Sequence, residues 1–337
     1  MSRQMNIRPV RVANRSGSYG DPAYEMYRQA TMGDVDFLTG DYLTEVNLAN
    51  NAKGWREGNH PGYEETAWEG IRQTINVIAE KRIRVVTNGG ALDPKALALK
   101  VHALVSEKGY KLTVAYVCGD DLYPDPGPHM PTTKEELHHL DSRNPSVRPP
   151  DLTARGIVDG LRRGADIVIC GRVADASPVI AAAWFWRGWS ETDYDLLAKS
   201  LIAGHLIECF AYVTGRTFAG FDGYDLNSLV APGFPIAEIA DDGSCVITKH
   251  PHTKGMVNVV TGRCHFLYEL QGDTYFNSDV SAFVGDVCVE VVGQDRVRVS
   301  GIRGSPPPPI TKLAVFYEAG FEAEVLLNAT GYATSQR

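Results

Sequence analysis

The chain has 337 residues, 44% hydrophobic and 22% charged, with a formal net charge of −8 at pH 7. That length can bury a large core and suggests roughly two domains of ~150 residues. The acidic balance argues against nucleic acid or an anionic membrane as the main partner, while leaving room for an anionic small ligand in a locally basic pocket. No run approaches the ~20 apolar residues of a membrane span, and the first residues carry no apolar signal core. The six cysteines (Cys118, Cys170, Cys209, Cys245, Cys264, Cys288) are scattered without a CxxC pair. Several lie in apolar strand-like runs, so reduced thiols and a cytoplasmic location are expected.

In chain order, Val10–Ala13 reads as a first strand. SGSYGD (16–21) follows, then a helix from Pro22 to about Met32. Gly17, Ser18, Tyr19 and Asp21 form a candidate ligand loop, because glycines let backbone approach an anion at a helix N-terminus. A plain tight turn with Asp21 capping the helix is the competing reading. Val35–Thr39 is the second strand, with Asp41 placed at the N-cap of a helix from Leu43 and Glu45 one turn on. Two nearby carboxyls can hold different proton affinities, which suits acid–base work or a divalent ion. The polar segment Asn47–Gly62 reads as a loop long enough to cover a site.

Glu64–Lys81 has helical periodicity, and Arg82–Thr87 is a third strand ending in Asn88, Gly89 and Gly90. That tip is expected to offer free backbone N–H groups. Asp93-Pro94 starts the next helix. Lys111–Val117 is a fourth strand, ending at Asp120 and Asp121. A proline-rich loop and a short polar helix around Glu135–Leu140 follow, where His138 and His139 are expected to face solvent. A helix between Asp151 and Gly164 feeds the fifth strand, Ile167–Cys170, whose apolar run suits a strand buried on both faces. Gly171 ends it, and Arg172, Asp175 and Ser177 crowd the turn into a helix opened by Pro178. Trp184, Trp186 and Trp189 follow within six residues, and Trp184 and Trp186 are candidate walls of a ligand cavity. Asp193 begins a helix that carries His205 and Glu208 three apart, hence on one face. That pair can be a general base with its orienting carboxylate, or two metal ligands.

After about Thr214 short β-like runs dominate: Val246–Lys249, Val257–Thr261, His265–Leu270, Val287–Val292, Arg296–Ser300, Leu313–Tyr317 and Glu322–Asn328. Lys249–Gly255 is a basic loop. Arg303 and Ser305, held by the prolines at 306–309, would suit a carboxylate or phosphate. The expected fold is α/β: an open, mostly parallel sheet with helices on both faces (1–213), then a β-rich portion (214–337). All five parallel tips would lie along one edge, and ligands sit outside such carboxyl ends.

Taken together, SGSYGD (16–21), DYLTE (41–45), TNGG (87–90), GDD (119–121), GRVADASP (171–178), GHLIEC (204–209), GFPIAEI (233–239) and SGIRGSPPPP (300–309) are similar to the acyclic terpene utilisation (AtuA) family. The resemblance implies a place in bacterial catabolism of citronellol- and geraniol-type compounds, beside acyl-CoA carboxylation and hydration steps. It also implies that the chain continues in relatives beyond residue 337. Lys254 stands where relatives often have glycine.

The resulting expectation is an enzyme, a lyase or hydratase acting on a branched carboxylate or CoA thioester. His205, Glu208, Asp41 and Asp175 carry the acid–base chemistry. Gly17, Ser18, Tyr19, Asp21, Glu45, Asn88, Gly89, Gly90, Asp120, Arg172, Trp184, Arg303 and Ser305 contact substrate. No resident cofactor is expected, a divalent metal at Asp41, Glu45, His205 and Glu208 being the hydrolase alternative. A non-catalytic ligand-binding or scaffold subunit is the other alternative. The partners expected are the small-molecule substrate and a second copy of the chain.

Overall fold

The structure, a computed structural model, describes residues 8–120 and 153–309. Its centre is a nine-stranded sheet in the order β10-β11-β7-β6-β1-β2-β3-β5-β4. The parallel part comprises β1 (Val10–Asn14), β2 (Phe37–Gly40), β3 (Arg84–Thr87), β4 (Val114–Val117) and β5 (Ile167–Cys170). The inner strands are buried on both faces, which is why their sequences read as short unbroken apolar runs.

Two cores cover the two faces. On one, α1 (Tyr24–Thr31), α3 (Glu65–Lys81) and α4 (Pro94–Glu107) supply Met26, Ile71, Ile75, Ile78, Leu97 and Val101. On the other, α5 (Ala154–Arg162), α6 (Ser177–Arg187) and α7 (Tyr194–Glu208) supply Ile157, Leu161, Ile180, Leu201 and Ile202. Each such side chain, removed from water, contributes roughly 1.5–3 kcal/mol before its entropy cost. Asp93 caps α4 by accepting from Ala96 N, with Pro94 in the first turn, as the Asp-Pro pair predicts. Among the described residues no helix is long and apolar enough to cross a membrane.

Local structure departs from the sequence reading in two places. Of the segment 47–62, expected as loop, residues 47–56 belong to a helix, α2 (Glu45–Arg56). Its N-cap is Thr44, not Asp41: Thr44 and Asn47 form a reciprocal capping box that secures the first turn. The runs Val257–Thr261 and His265–Leu270, expected as strands, belong to or flank a helix, α8 (Val259–Leu267). Asn258 caps it by accepting from Val260 and Thr261 N. In the expected β-rich portion lie β6 (Pro235–Ile239), β7 (Cys245–Lys249), β10 (Cys288–Gly293) and β11 (Arg296–Ser300). They extend the parallel sheet through the antiparallel pairing of β6 with β1. A smaller sheet holds β8 (Thr274–Phe276), β9 (Ser281–Phe283) and β12 (Arg303–Ser305). Asp121, His138, His139, Asp151 and the strand-like runs after 310 lie outside the described residues.

Candidate active site

The five parallel strands end on one rim. Connections from β3 and β5 leave to opposite faces, α4 to one and α6 to the other. Adjacent strands parted in this way open a crevice at their carboxyl ends. Asn88 stands at one side of it and Gly171–Asp175 at the other. The carboxyl end of α7 reaches the same rim, because Asn14 Nδ2, at the end of β1, donates to Glu208 O at 3.0 Å.

Asp41 follows β2 and is buried. Asn88 acts as its clamp: the Asn88 Nδ2 donates to Asp41 Oδ1, while Asn88 Oδ1 accepts from Tyr42 N at 2.9 Å. Burial, and next the charge of Asp175, push the Asp41 carboxyl well above the usual carboxylate range, against the opposing pull of Asn88 and Arg172. Arg172 lies 2.9 Å from Asp175 Oδ1 and donates to Leu43 O at 3.1 Å. Burial works against the guanidinium charge, but Asp175, Asp41 and Glu45 hold its pKa above the ordinary value. Asp175 is raised by burial and then by Glu269 and Glu45, with Arg172 pulling the other way. Asp120 fixes the turn, accepting from Arg172 N at 2.6 Å. Its carboxylate would lie 2.5 Å from a Cβ added at Gly171, so a side chain there would displace Asp120.

His205 is fully buried. Its Nε2 lies 3.0 Å from Phe266 O. A carbonyl only accepts, so Nε2 carries the proton and Nδ1 of the neutral ring holds a lone pair. Burial drives its pKa down to about 4 and outweighs the hydrogen bond to Phe266, so the ring is neutral at pH 7. Nδ1 faces Glu208 Oε1 at 3.9 Å and Glu269 Oε2 at 3.8 Å. Glu208 accepts from the Tyr268 hydroxyl at 3.2 Å. Burial raises its carboxyl well above the usual range, reinforced by Asp175, Asp41 and Glu269. Tyr268 stacks on the His205 ring at 5.5 Å and Tyr275 meets it edge-on at 5.2 Å. The four residues expected to carry acid–base chemistry therefore share one electrostatic cluster with Arg172 and Glu45.

The expected substrate contacts divide. Asn88, Asp120, Arg172 and Glu45 stand at or beside the cluster. Gly17 packs against it from outside: a Cβ there would lie 1.8 Å from Phe210 N. The Gly17 N–H is already taken by Asp21 at 2.9 Å, and Asp21 is itself paired with Arg216 at 2.6 Å. Asp21 thus closes its own loop rather than capping α1, whose N-cap is Ala23. Ser18 N is directed at the Ser16 hydroxyl, at 3.5 Å, and Tyr19 projects into solvent. Gly89 N donates to Thr87 Oγ1 at 3.2 Å, so that N–H is not free. Gly89 and Gly90 have no room for side chains, as added Cβ atoms would lie 2.4 Å from Ala67 Cβ and 2.5 Å from Cys170 O. Their smallness serves packing.

Trp184, expected as a cavity wall, packs into a hydrophobic core. It is buried in the core under α6, and its indole N–H donates to Trp189 O at 2.7 Å. Trp186 packs edge-on against Phe37. Arg303 and Ser305 lie elsewhere. Arg303 pairs with Asp286 at 2.8 Å, and Gly304 N donates to Asp195 Oδ1 at 2.7 Å. Asp195 sits in the first turn of α7 and Glu208 in its last, ~20 Å apart along the axis.

Glu269, Tyr268, Tyr275 and the buried His265 were not anticipated. His265 and Glu269, four apart, share a face in a strand as well as in a helix, so their spacing was a signal the sequence carried. No curated protein and no solved structure matches the chain. The family model of the acyclic terpene utilisation family protein AtuA matches residues 10–337. With that match spanning nearly its whole length, the chain belongs to the acyclic terpene utilisation family AtuA.

Proposed function

We propose that the protein is an enzyme of acyclic terpene or branched acyl-CoA metabolism, a hydro-lyase that adds or removes water by acid–base chemistry on a carboxylated or CoA-thioester substrate. The observation that carries this reading is the Asp41–Asp175 pair. Asp41 is buried, while the Asp175 side chain is 33% exposed and only Asp175 has Arg172 at 2.9 Å, so their proton affinities are driven apart. Two carboxyls in one site with separated affinities divide into an acid and a base.

In the dehydration direction Asp175, which Arg172 draws toward the ionised form against the opposing effect of burial, takes a proton from the carbon beside the thioester. Asp41 gives its proton to the hydroxyl, which departs as water. Hydration reverses both transfers. Asn88 holds Asp41 in place, and the partly exposed Arg172 attracts the carboxylate or carbonyl of the substrate. The membership in a family of acyclic terpene utilisation supports branched substrates, on which water addition across a double bond is acid-driven chemistry.

The test is reversible hydration of branched enoyl-CoA thioesters by purified protein. Asp41→Asn keeps the shape and the Asn88 contact but removes the exchangeable proton. Turnover is expected to fall by about 10²–10⁴-fold. Unchanged turnover in that variant, measured on a substrate the wild type converts, would sink the assignment.

A further inference from the structure

We infer that His205 Nδ1, Glu208 and Glu269 form a binding site for one divalent transition-metal cation of the zinc or manganese class. The site lies beside the Asp41–Asp175 pair and rests on the reading of that rim as the active site only for its catalytic relevance.

Three observations converge. First, one ligand atom from each of the three residues falls within 4.8 Å of the others. The His205 nitrogen stands 3.8 and 3.9 Å from the two carboxylate oxygens. These gaps are too long for hydrogen bonds. Two ligands each ~2.1 Å from a shared ion can stand up to ~4.2 Å apart, so the same gaps suit coordination. Glu269, whose side chain is 42% exposed, has the freedom to close on the ion.

Second, His205 Nδ1 is buried and has no hydrogen-bond partner. Leaving such an atom unsatisfied costs about 1–3 kcal/mol, and native structures rarely do so without a ligand or water to meet it. Third, the rest of the ring is built to aim that lone pair. Nε2–H donates to the Phe266 carbonyl, the outer contact that fixes the tautomer of metal-binding histidines. Tyr268 and Tyr275 pack against the ring, one stacked and one edge-on, and prevent it from turning away.

The donor set is one imidazole and two carboxylates. Imidazole disfavours magnesium and calcium and suits first-row transition ions. Three protein ligands leave at least one coordination position for water or a substrate oxygen.

The experiment is equilibrium dialysis of the chelator-stripped protein against Zn²⁺ and, separately, Mn²⁺, with bound metal read by elemental analysis. Wild type is expected to retain about one equivalent. Glu269→Gln and His205→Gln are each expected to weaken retention by at least ~10-fold. His205 is buried, so its variant can fail to fold; Glu269 is half-exposed and its variant keeps the test decisive. Manganese-bound protein is also expected to show nitrogen coupling in its EPR spectrum that His205→Gln removes. A wild type that holds no metal, or a Glu269→Gln protein that holds it equally well, overturns the inference. Asp41→Asn is expected to bind the ion normally. If it does so while retaining full turnover, the acid–base assignment falls and the cation site stands.

Discussion

Gly17→Ala separates a ligand-binding loop from a packing loop. An added Cβ would lie 1.8 Å from Phe210 N, 2.7 Å from Cys209 C and 2.8 Å from Glu208 O. Ordinary contact begins near 3.4 Å, so the nearest pair would have to part by about 1.6 Å. Neither side can swing a side chain away, because both are backbone. Overpacking of this kind costs typically 1–3 kcal/mol, and the absence of a flexible partner places Gly17→Ala at or above ~3 kcal/mol. The strain also falls on Cys209 and Phe210, just past Glu208, so metal retention and turnover should drop with stability. Gly20→Ala is the control in the same loop: its Cβ meets nothing within 4 Å, and its effect should stay within ~0.5 kcal/mol. Urea unfolding followed by circular dichroism measures both. If Gly17→Ala proves as stable as Gly20→Ala, the loop does not abut the end of α7 and the placement of Glu208 on the rim is wrong.

Asn88→Ala should lower stability by about 2–4 kcal/mol, because it strands both the Tyr42 N–H and the buried Asp41 carboxyl; urea unfolding that shifts by less than 1 kcal/mol would deny the clamp. Trp184→Phe should cost roughly 1–3 kcal/mol through the lost bond to Trp189 O and a small void, with turnover unchanged; a raised KM would restore Trp184 to a substrate wall. His250→Asn should flatten the acid side of the stability profile. Burial, and more weakly Arg11, Lys81 and Arg28, hold His250 below its ordinary value of 6.5, against its bond to Gln29 O. A pKa depressed by folding contributes stability that is complete above 6.5 and is lost as pH falls through the folded value. The slope in that window is at most about 1.4 kcal/mol per pH unit for one proton, and thermal melts of wild type and His250→Asn between pH 7 and 5 should diverge accordingly.

What could be read from the chain followed from how strongly each segment's physics is local. Ile167–Cys170 sits in the sheet with both faces covered, so its burial is written in four consecutive residues. His205 and Glu208 share a helix, and their spacing alone brings them together. By contrast, α2 carries Asn47, Asn50 and Asn51, poor helix formers that disguise it as a loop. Its stability is tertiary: Asn47 and Asn51 both donate to Glu64, a residue in a different segment. In α8, Val259, Val260 and Thr261 favour a strand, and the Asn258 capping box decides for the helix.

The strand tips show where composition misleads. Glycine at a tip permits either a ligand or a neighbouring backbone to approach, and the two uses look alike in sequence. At Gly17, Gly89 and Gly90 the space is filled by Phe210, Ala67 and Cys170. The polar side chains beside those glycines carry different information. Asn88 reaches Asp41, Asp120 reaches the Arg172 backbone, and Arg172 reaches Asp175, each bond spanning a strand boundary or a turn. The tips therefore bind one another through their acids and amides while their glycines admit the packing that brings them close. What is left over on the rim is the His205 lone pair between two carboxylates, a donor set that the fold orients and does not itself satisfy.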